Sequence, residues 1–151
     1  MKFKNPLIVV KDLEVSKNFY KEVLNLRTVM DFGSNVNLTG GLTLQTFESW
    51  KQMIKKECSF GANSCELYFE ENEFDKFIKK LDKMDIEYVH RVEEQEWGQR
   101  AVRFYDPDKH IIEVGENIRY VCLRFLESGM SVHEVAKRMG APVKFVNACM
   151  R

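Results

Sequence analysis

The chain lacks the features that would tie it to a membrane, to a disulfide framework or to nucleic acid. No apolar run is long enough to span a bilayer, and residues 1–6 lead into a strand pattern without a signal peptide. The four cysteines form no CxxC pair and have no zinc-ligand spacing. Lysine plus arginine equals aspartate plus glutamate, at 23 each, so no net charge attracts polyanions. We therefore expect a cytoplasmic protein with reduced thiols and no membrane partner.

The balance of charge conceals a basic C-terminal segment. Residues 117–151 contain six basic and two acidic side chains, a net charge of +4. The first 116 residues therefore carry −4. This asymmetry separates a helical tail, residues 117–151, from the rest of the chain.

An internal repeat sets the predicted architecture. A run that begins at Asn5 resembles a run that begins at Glu66, 61 residues later. Each combines a short strand, a polar break with an acidic residue, and a helical pattern of apolar residues. The first helical pattern contains Val15, Phe19, Val23 and Leu26.

Further strand patterns follow each helix, at residues 27–32, 35–38 and 42–47 in the first copy and 87–92, 99–105 and 110–114 in the second. The sequence therefore predicts an α+β fold of two βαβββ modules, residues 5–48 and 66–116, which form a cup-shaped mixed sheet in a domain of residues 1–116. A short helix at residues 49–58 is predicted between the modules.

Two motifs resemble a known family. The first is Val10-Lys11-Asp12-Leu13-Glu14-x-Ser16-x-x-Phe19-Tyr20; the second joins Trp97-Gly98-x-Arg100 to Phe104-Tyr105-Asp106-Pro107-Asp108-x-His110-x-Ile112-Glu113. They resemble the glyoxalase/bleomycin-resistance/dioxygenase superfamily, also called vicinal oxygen chelate proteins. The resemblance implies the paired βαβββ fold, a ligand cup and a homodimer. It does not choose between metal-dependent enzymes and metal-free proteins that sequester a drug.

Strand alternation predicts which side chains face the cup, because successive residues point to opposite sides of a sheet. Val102 and Phe104 are expected under the helices. The predicted ligand-binding residues are Phe47, Glu66, Tyr68, Trp97, Arg103, Tyr105 and Glu113. Their aromatic and charged groups together suit a planar or amphipathic small molecule.

The resemblance also implies where a divalent metal ion would bind. The family's ligand positions fall on Asn5, Gln45, Glu66 and Glu113, of which only Glu113 is the usual residue. No histidine is predicted at these positions, whereas transition metals favour imidazole and thiolate ligands. We therefore expect no metal cofactor.

Without a metal, Glu66 and Glu113 need a positive partner, and Arg103 is predicted to supply it. This arrangement has two interpretations: a structural Arg–Glu pair, or a site for a ligand's amine, hydroxyl or carboxylate. The turn after Tyr105 also departs from the family, which usually has glycine at the position of Lys109.

The tail predicts three helices. A helix over residues 120–126 ends at Gly129, Ser131 and Glu134 form a capping box, and Pro142 opens the third helix. Ala136, Gly140 and Val146 have helix-turn-helix spacing, but the third helix offers few base-reading side chains, so nucleic acid is not an expected partner. We expect the tail to pack on the cup or on a dimer partner.

Three functions remain open. The leading hypothesis is a metal-free protein that sequesters or senses a small organic ligand. The second is a metal-dependent lyase or isomerase of the glyoxalase type, with Glu113 as a catalytic residue. The third is a regulator that couples the ligand to DNA through the tail.

Overall fold

The computed structural model describes residues 1–151 and divides the chain into two compact units. Residues 1–64 and 106–110 form the first unit, and residues 65–105 and 111–151 form the second. Each unit contains one four-stranded mixed sheet. None of the helices combines the length and the apolar character that crossing a membrane requires.

The first unit contains one βαβββ module followed by a helix: β1 (Leu7–Val10), α1 (Leu13–Leu24), β2 (Thr28–Asp31), β3 (Asn35–Leu38), β4 (Thr43–Thr46) and α2 (Phe47–Ile54). The strand order is β1-β4-β3-β2. The β1–β4 pair is parallel, and the other pairs are antiparallel.

The second unit contains β5 (Glu66–Glu71), α3 (Phe74–Leu81), β6 (Tyr88–Glu94), β7 (Arg100–Tyr105) and β8 (Ile111–Glu116), then α4 (Ile118–Glu127), α5 (Val132–Met139) and α6 (Val143–Cys149). Its strand order, β5-β8-β7-β6, has the same connectivity and strand directions as the first sheet. The predicted α+β fold with two βαβββ modules is therefore confirmed.

Helix α1 begins as predicted, but its buried face differs in part from the predicted one. The Asp12 carboxylate caps it by accepting hydrogen bonds from the amides of Glu14 and Val15. Its buried residues are Ser16, Tyr20 and Val23, whereas Val15 is 50% exposed. The predicted apolar stripe was thus wrong at Val15. The Tyr20 ring, which was not part of that stripe, is buried, and its hydroxyl donates to Asp106 Oδ2 at 2.8 Å.

The prediction that Phe47 belongs to the last strand of the first module was also wrong. Strand β4 ends at Thr46, and Phe47 is the first residue of α2. The Ser49 hydroxyl donates to the Thr46 carbonyl at 3.0 Å and so supports the turn into the helix. The Phe47 ring instead lies against Phe60, with 5.4 Å between ring centroids.

The tail is a three-helix bundle with its own core, centred on Val121, Val135 and Val146. Ser131 and Glu134 form the predicted capping box, and Gly140 ends α5 with a φ of 61°. The tail was expected to pack on the cup or on a partner; many of its apolar residues pack among its three helices instead, while Phe125 packs on Gly98 between β6 and β7. This arrangement follows from the small size of the turns, which bring the three helices together.

Candidate functional site

One face of the second sheet gathers most of the predicted ligand-binding residues. Tyr68 on β5 pairs with Glu113 on β8, and Glu113 pairs with Arg103 on β7. Directly paired residues point to the same side of a sheet, so these three side chains share a face. Glu66 and Tyr105 lie on it too, because each is two residues from a member of this row.

The opposite face is the core of this unit, as strand alternation predicts. Val102 pairs with Val114, and Phe104 pairs with Ile112. All four side chains are buried. The predicted register of β7 and β8 is therefore confirmed, whereas ligand binding by the other face remains a prediction.

Arg103 is the centre of the polar cluster on this face. Its Nε donates to Glu66 Oε2 at 2.9 Å, and its Nη2 forms an ion pair with Glu113 Oε2. Its Nη1 lies 3.1 Å from His90 Nε2. His90 Nδ1 lies 2.7 Å from the Arg91 carbonyl, which can only accept. Nδ1 therefore carries the proton and Nε2 accepts from Arg103, which assigns the neutral tautomer.

Glu113 is a charged side chain of this cluster whose ionised form is disfavoured by burial. Its side chain is only 7% exposed. Burial raises the pKa of Glu113 above its ordinary value of 4.5, and the nearby Glu66 carboxylate raises it further, although Arg103 opposes the shift. One guanidinium thus serves two carboxylates, and the pair retains an uncompensated negative charge whenever both are ionised.

A second hydrogen-bonded chain crosses the same face toward the β6–β7 turn. The Trp97 indole donates to Gln99 Oε1 at 3.0 Å, and Gln99 Nε2 donates to the Tyr68 hydroxyl at 2.9 Å. The Tyr68 hydroxyl donates in turn to Glu70 Oε1 at 3.0 Å. A side chain at Gly115 would prevent this arrangement, because its Cβ would lie 2.8 Å from Gln99 Nε2.

Two members of this face, His90 and Gln99, were missed in the sequence. Gln99 has the same alternation as Arg103 on β7, which could have placed it there. His90 pairs with Arg103 across the bulged β6–β7 ladder, and bulges hide such pairings from sequence periodicity.

The predicted metal ligands divide between the two units. Asn5 and Gln45 belong to the first, where the Asn5 amide donates to Thr43 Oγ1 at 2.5 Å and Gln45 Oε1 accepts from Asn35 at 2.6 Å. Glu66 and Glu113 belong to the second and are bound to Arg103. No group of three or more His, Cys, Asp or Glu side chains is placed to hold a metal ion.

A cavity of about 270 Å³ lies elsewhere in the second unit. It is lined by Ile78, Asp82, Tyr88, Arg91, Val92 and Val102. Val102 belongs to the core face of β7, so this cavity is separate from the Arg103 cluster.

Comparisons with known proteins agree with this architecture. A family model described as a glyoxalase-like domain matches residues 3–119. A protein of unknown function from Agrobacterium tumefaciens is 38% identical, with a TM-score of 0.71, and the match covers 78% of this chain and 94% of that one. No match is found among curated proteins.

More distant solved structures share the fold. A glyoxalase-related enzyme from Fulvimarina pelagi is 17% identical, with a TM-score of 0.68, and the match covers 78% of this chain and 88% of that one. A glyoxalase/bleomycin resistance protein/dioxygenase from Nocardioides is 18% identical, with a TM-score of 0.65, and coverage is 77% and 83%. The chain therefore belongs to the glyoxalase-like family of the vicinal oxygen chelate superfamily.

Proposed function

We propose that this protein binds a small organic molecule that carries an aromatic ring and a cationic group, without a metal ion. The candidate site is the face of the second sheet that contains Tyr68, Arg103 and Glu113. The observation that carries the proposal is the position of Arg103, whose guanidinium contacts both Glu66 and Glu113. A protein cation thus holds the two carboxylates that the family pattern would assign to a metal.

The charge of the face supports a cationic ligand. Glu66, Glu70 and Glu113 lie on it together with a single arginine, so acidic groups outnumber basic ones. Burial, together with the nearby Glu66 carboxylate, raises the pKa of Glu113 even though Arg103 is paired with it, so a further cation beside Glu113 would favour its ionised form. A ligand ammonium beside Glu113 would supply the missing positive charge, and a buried charge is costly until it is paired.

The aromatic side chains support a flat ligand. Tyr68 is 49% exposed and Trp97 is 40% exposed, so both can be covered by a ligand. Their hydroxyl and indole N–H groups are already hydrogen-bonded, which fixes the rings before a ligand arrives. A fixed aromatic surface beside carboxylates suits an aromatic cation, through stacking and cation–π attraction.

The donor set fits a metal poorly. Glu66 and Glu113 are both paired with Arg103, and the His90 Nε2 lone pair points to the same guanidinium. A divalent ion would have to displace Arg103 and would then gain only carboxylate ligands with one imidazole. The metal-dependent lyase or isomerase, with Glu113 as its catalytic residue, is therefore the less favoured function.

A matched pair of probes tests the proposal. Naphthylmethylamine is an aromatic cation, and naphthoate is an anion with the same rings; isothermal titration calorimetry measures both. We expect the amine to bind at least about tenfold more tightly, a difference of about 1.4 kcal/mol. Binding of the amine should be insensitive to EDTA and to added Mn²⁺.

Variants locate the site. Glu113→Gln should weaken binding of naphthylmethylamine by about tenfold, whereas Glu71→Gln, on the opposite face of β5, should not. Affinity should also fall as the pH falls through the raised pKa of Glu113, because the cation must then compete with a proton. Equal binding of the two probes, or an affinity that depends on Mn²⁺, would contradict the proposal.

A further inference from the structure

The turn that carries Trp97 and Gln99 is held by two helices of the tail. This turn joins β6 to β7, and Gly98 N donates to the Gln95 carbonyl at 2.8 Å within it. From α4, Arg124 Nη2 donates to the Gly98 carbonyl at 2.8 Å. From α5, Arg138 donates to the Glu96 carbonyl and contacts Glu94 Oε1 at 3.1 Å.

Phe125 on α4 completes this contact. A Cβ at Gly98 would lie 2.2 Å from Phe125 Cζ, so the ring packs directly on the glycine backbone. The Arg124 and Arg138 guanidinium carbons lie 5.1 and 5.7 Å from the Phe125 ring centroid. The ring and both arginines therefore act on one turn of the hairpin.

The same contact reaches the candidate site through Gln99. Its Nε2 donates to the Glu116 carbonyl at 2.7 Å as well as to the Tyr68 hydroxyl. The Glu116 carboxylate accepts from Arg124 at 3.1 Å. Glu116 thus links Arg124 to the hydrogen-bonded chain on the candidate site. Its carboxylate binds Arg124, and its carbonyl binds Gln99.

We propose that the tail is a clamp that positions Trp97 and Gln99 on the candidate site, with Arg124, Phe125 and Arg138 as its positioning residues. This inference rests on the proposed function, because the clamp can affect affinity only if the candidate site binds a ligand. Helices α5 and α6 lie beyond residue 119, where the match to the family model ends. The clamp therefore adds to the family domain a means of setting the affinity of this chain's site.

Trp97 itself reports on the clamp. The chain has two tryptophans, so Trp50→Phe leaves Trp97 as the only one. In that full-length background, Phe125→Leu should shift Trp97 emission to longer wavelength and raise its quenching by acrylamide by about twofold, since its anchored turn is released. Phe145→Leu makes the same change elsewhere in the tail core and should leave Trp97 fluorescence unaltered.

A second variant avoids the tail core altogether. Arg138 has a side chain that is 43% exposed, so Arg138→Gln should leave the bundle folded while it removes the bonds to Glu94 and Glu96. Lys137→Gln, on the exposed surface of the same helix, is the matched control. The proposal that the tail positions Trp97 is wrong if Trp97 fluorescence does not differ within either matched pair. The pairs are Phe125→Leu with Phe145→Leu, and Arg138→Gln with Lys137→Gln.

Binding separates this inference from the proposed function. Phe125→Leu should weaken binding of naphthylmethylamine by about five- to tenfold, the effect of one or two misplaced contacts, while Phe145→Leu changes it by less than about twofold. If the unaltered protein binds no amine, the proposed function fails, and the fluorescence comparison still decides whether the tail positions Trp97.

Discussion

Glu113 and Glu116 lie on the same strand, point to opposite faces of the second sheet, and have pKa values that are shifted in opposite directions. Burial raises the pKa of Glu113, and a single shared arginine does not offset it. Burial also opposes ionisation of Glu116, but Arg100 and Arg124 outweigh it and hold the pKa of Glu116 below 4.5. Glu116 is thus held in its ionised form by two arginines, whereas Glu113 is the carboxylate that we propose for the ligand.

This difference predicts opposite effects on stability for two matched substitutions. A depressed folded pKa contributes stability above the ordinary value, so Glu116→Gln should lower the free energy of unfolding by about 2 kcal/mol at neutral pH. Its effect should shrink in acid, as the pH falls through the folded pKa. A raised folded pKa contributes stability that is lost as pH rises, so Glu113→Gln should be neutral or stabilising at neutral pH.

Urea unfolding at neutral pH and below pH 4.5 measures both effects. The comparison controls for the substitution itself, because both residues are buried glutamates on β8. A larger loss of stability in Glu113→Gln than in Glu116→Gln at neutral pH would contradict the assignment.

Phe104 and Tyr105 are adjacent aromatic residues that should respond very differently to truncation. Phe104 is fully buried on the core face, so Phe104→Ala should cost about 3–5 kcal/mol. Tyr105 is half-buried on the candidate face, and Tyr105→Ala should cost about 1–2 kcal/mol, since less of the ring leaves contact. Tyr105→Ala should instead weaken naphthylmethylamine binding, which Phe104→Ala at a permissive temperature should preserve. Similar unfolding costs for the two variants would show that the two faces are wrongly assigned.

The sequence predicted those features that repeat along the chain. Alternation within β7 places Val102 and Phe104 opposite Arg103, because a one-residue shift would expose the whole apolar set. The capping box at Ser131 was equally predictable, since it depends on residues three apart. Local periodicity and local hydrogen bonds were sufficient in both places.

Features that depend on distant partners were not predictable. The buried Tyr20 hydroxyl donates a hydrogen bond to Asp106, which is 86 residues away in sequence. Phe47 lies in α2 and not in the predicted strand, because the hydrogen bond from the Ser49 hydroxyl to the Thr46 carbonyl supports the turn into the helix. Gly98 contacts Phe125, which is 27 residues later in the chain, and no sequence pattern relates the two segments.

Lys109 is a strained position that substitution should relieve. Its φ is 70°, the left-handed region in which a side chain costs about 1 kcal/mol relative to glycine. Lys109→Gly should therefore raise the free energy of unfolding by about 1 kcal/mol, as urea titration would show. Lys137→Gly, within α5, should lower it by about 1 kcal/mol, because glycine there only weakens a helix. Destabilisation by Lys109→Gly would mean that the lysine side chain has a stabilising role at this turn.

Gly98 and Phe125 should be energetically coupled. A Cβ at Gly98 would lie 2.2 and 2.6 Å from two ring carbons of Phe125, and the Gly98 φ is 86°. Gly98→Ala should therefore cost about 1 kcal/mol of backbone strain plus about 1–3 kcal/mol of steric overlap. In a Phe125→Ala background the overlap disappears and only the strain remains. The double variant should thus be more stable than the sum of the single variants predicts, by about 1–3 kcal/mol.

Gly129 provides the control for this cycle. Its φ is 94°, but a Cβ there would meet nothing within 4 Å. Gly129→Ala should therefore cost only the strain, about 1 kcal/mol, whether or not Phe125 is present. Urea unfolding of the four Gly98 and Phe125 combinations, together with Gly129→Ala in both backgrounds, measures the coupling directly. If Gly98→Ala costs no more than Gly129→Ala and is unaffected by Phe125→Ala, the ring does not occupy the space above the hairpin turn. In that case Phe125 does not position Trp97 through the hairpin turn.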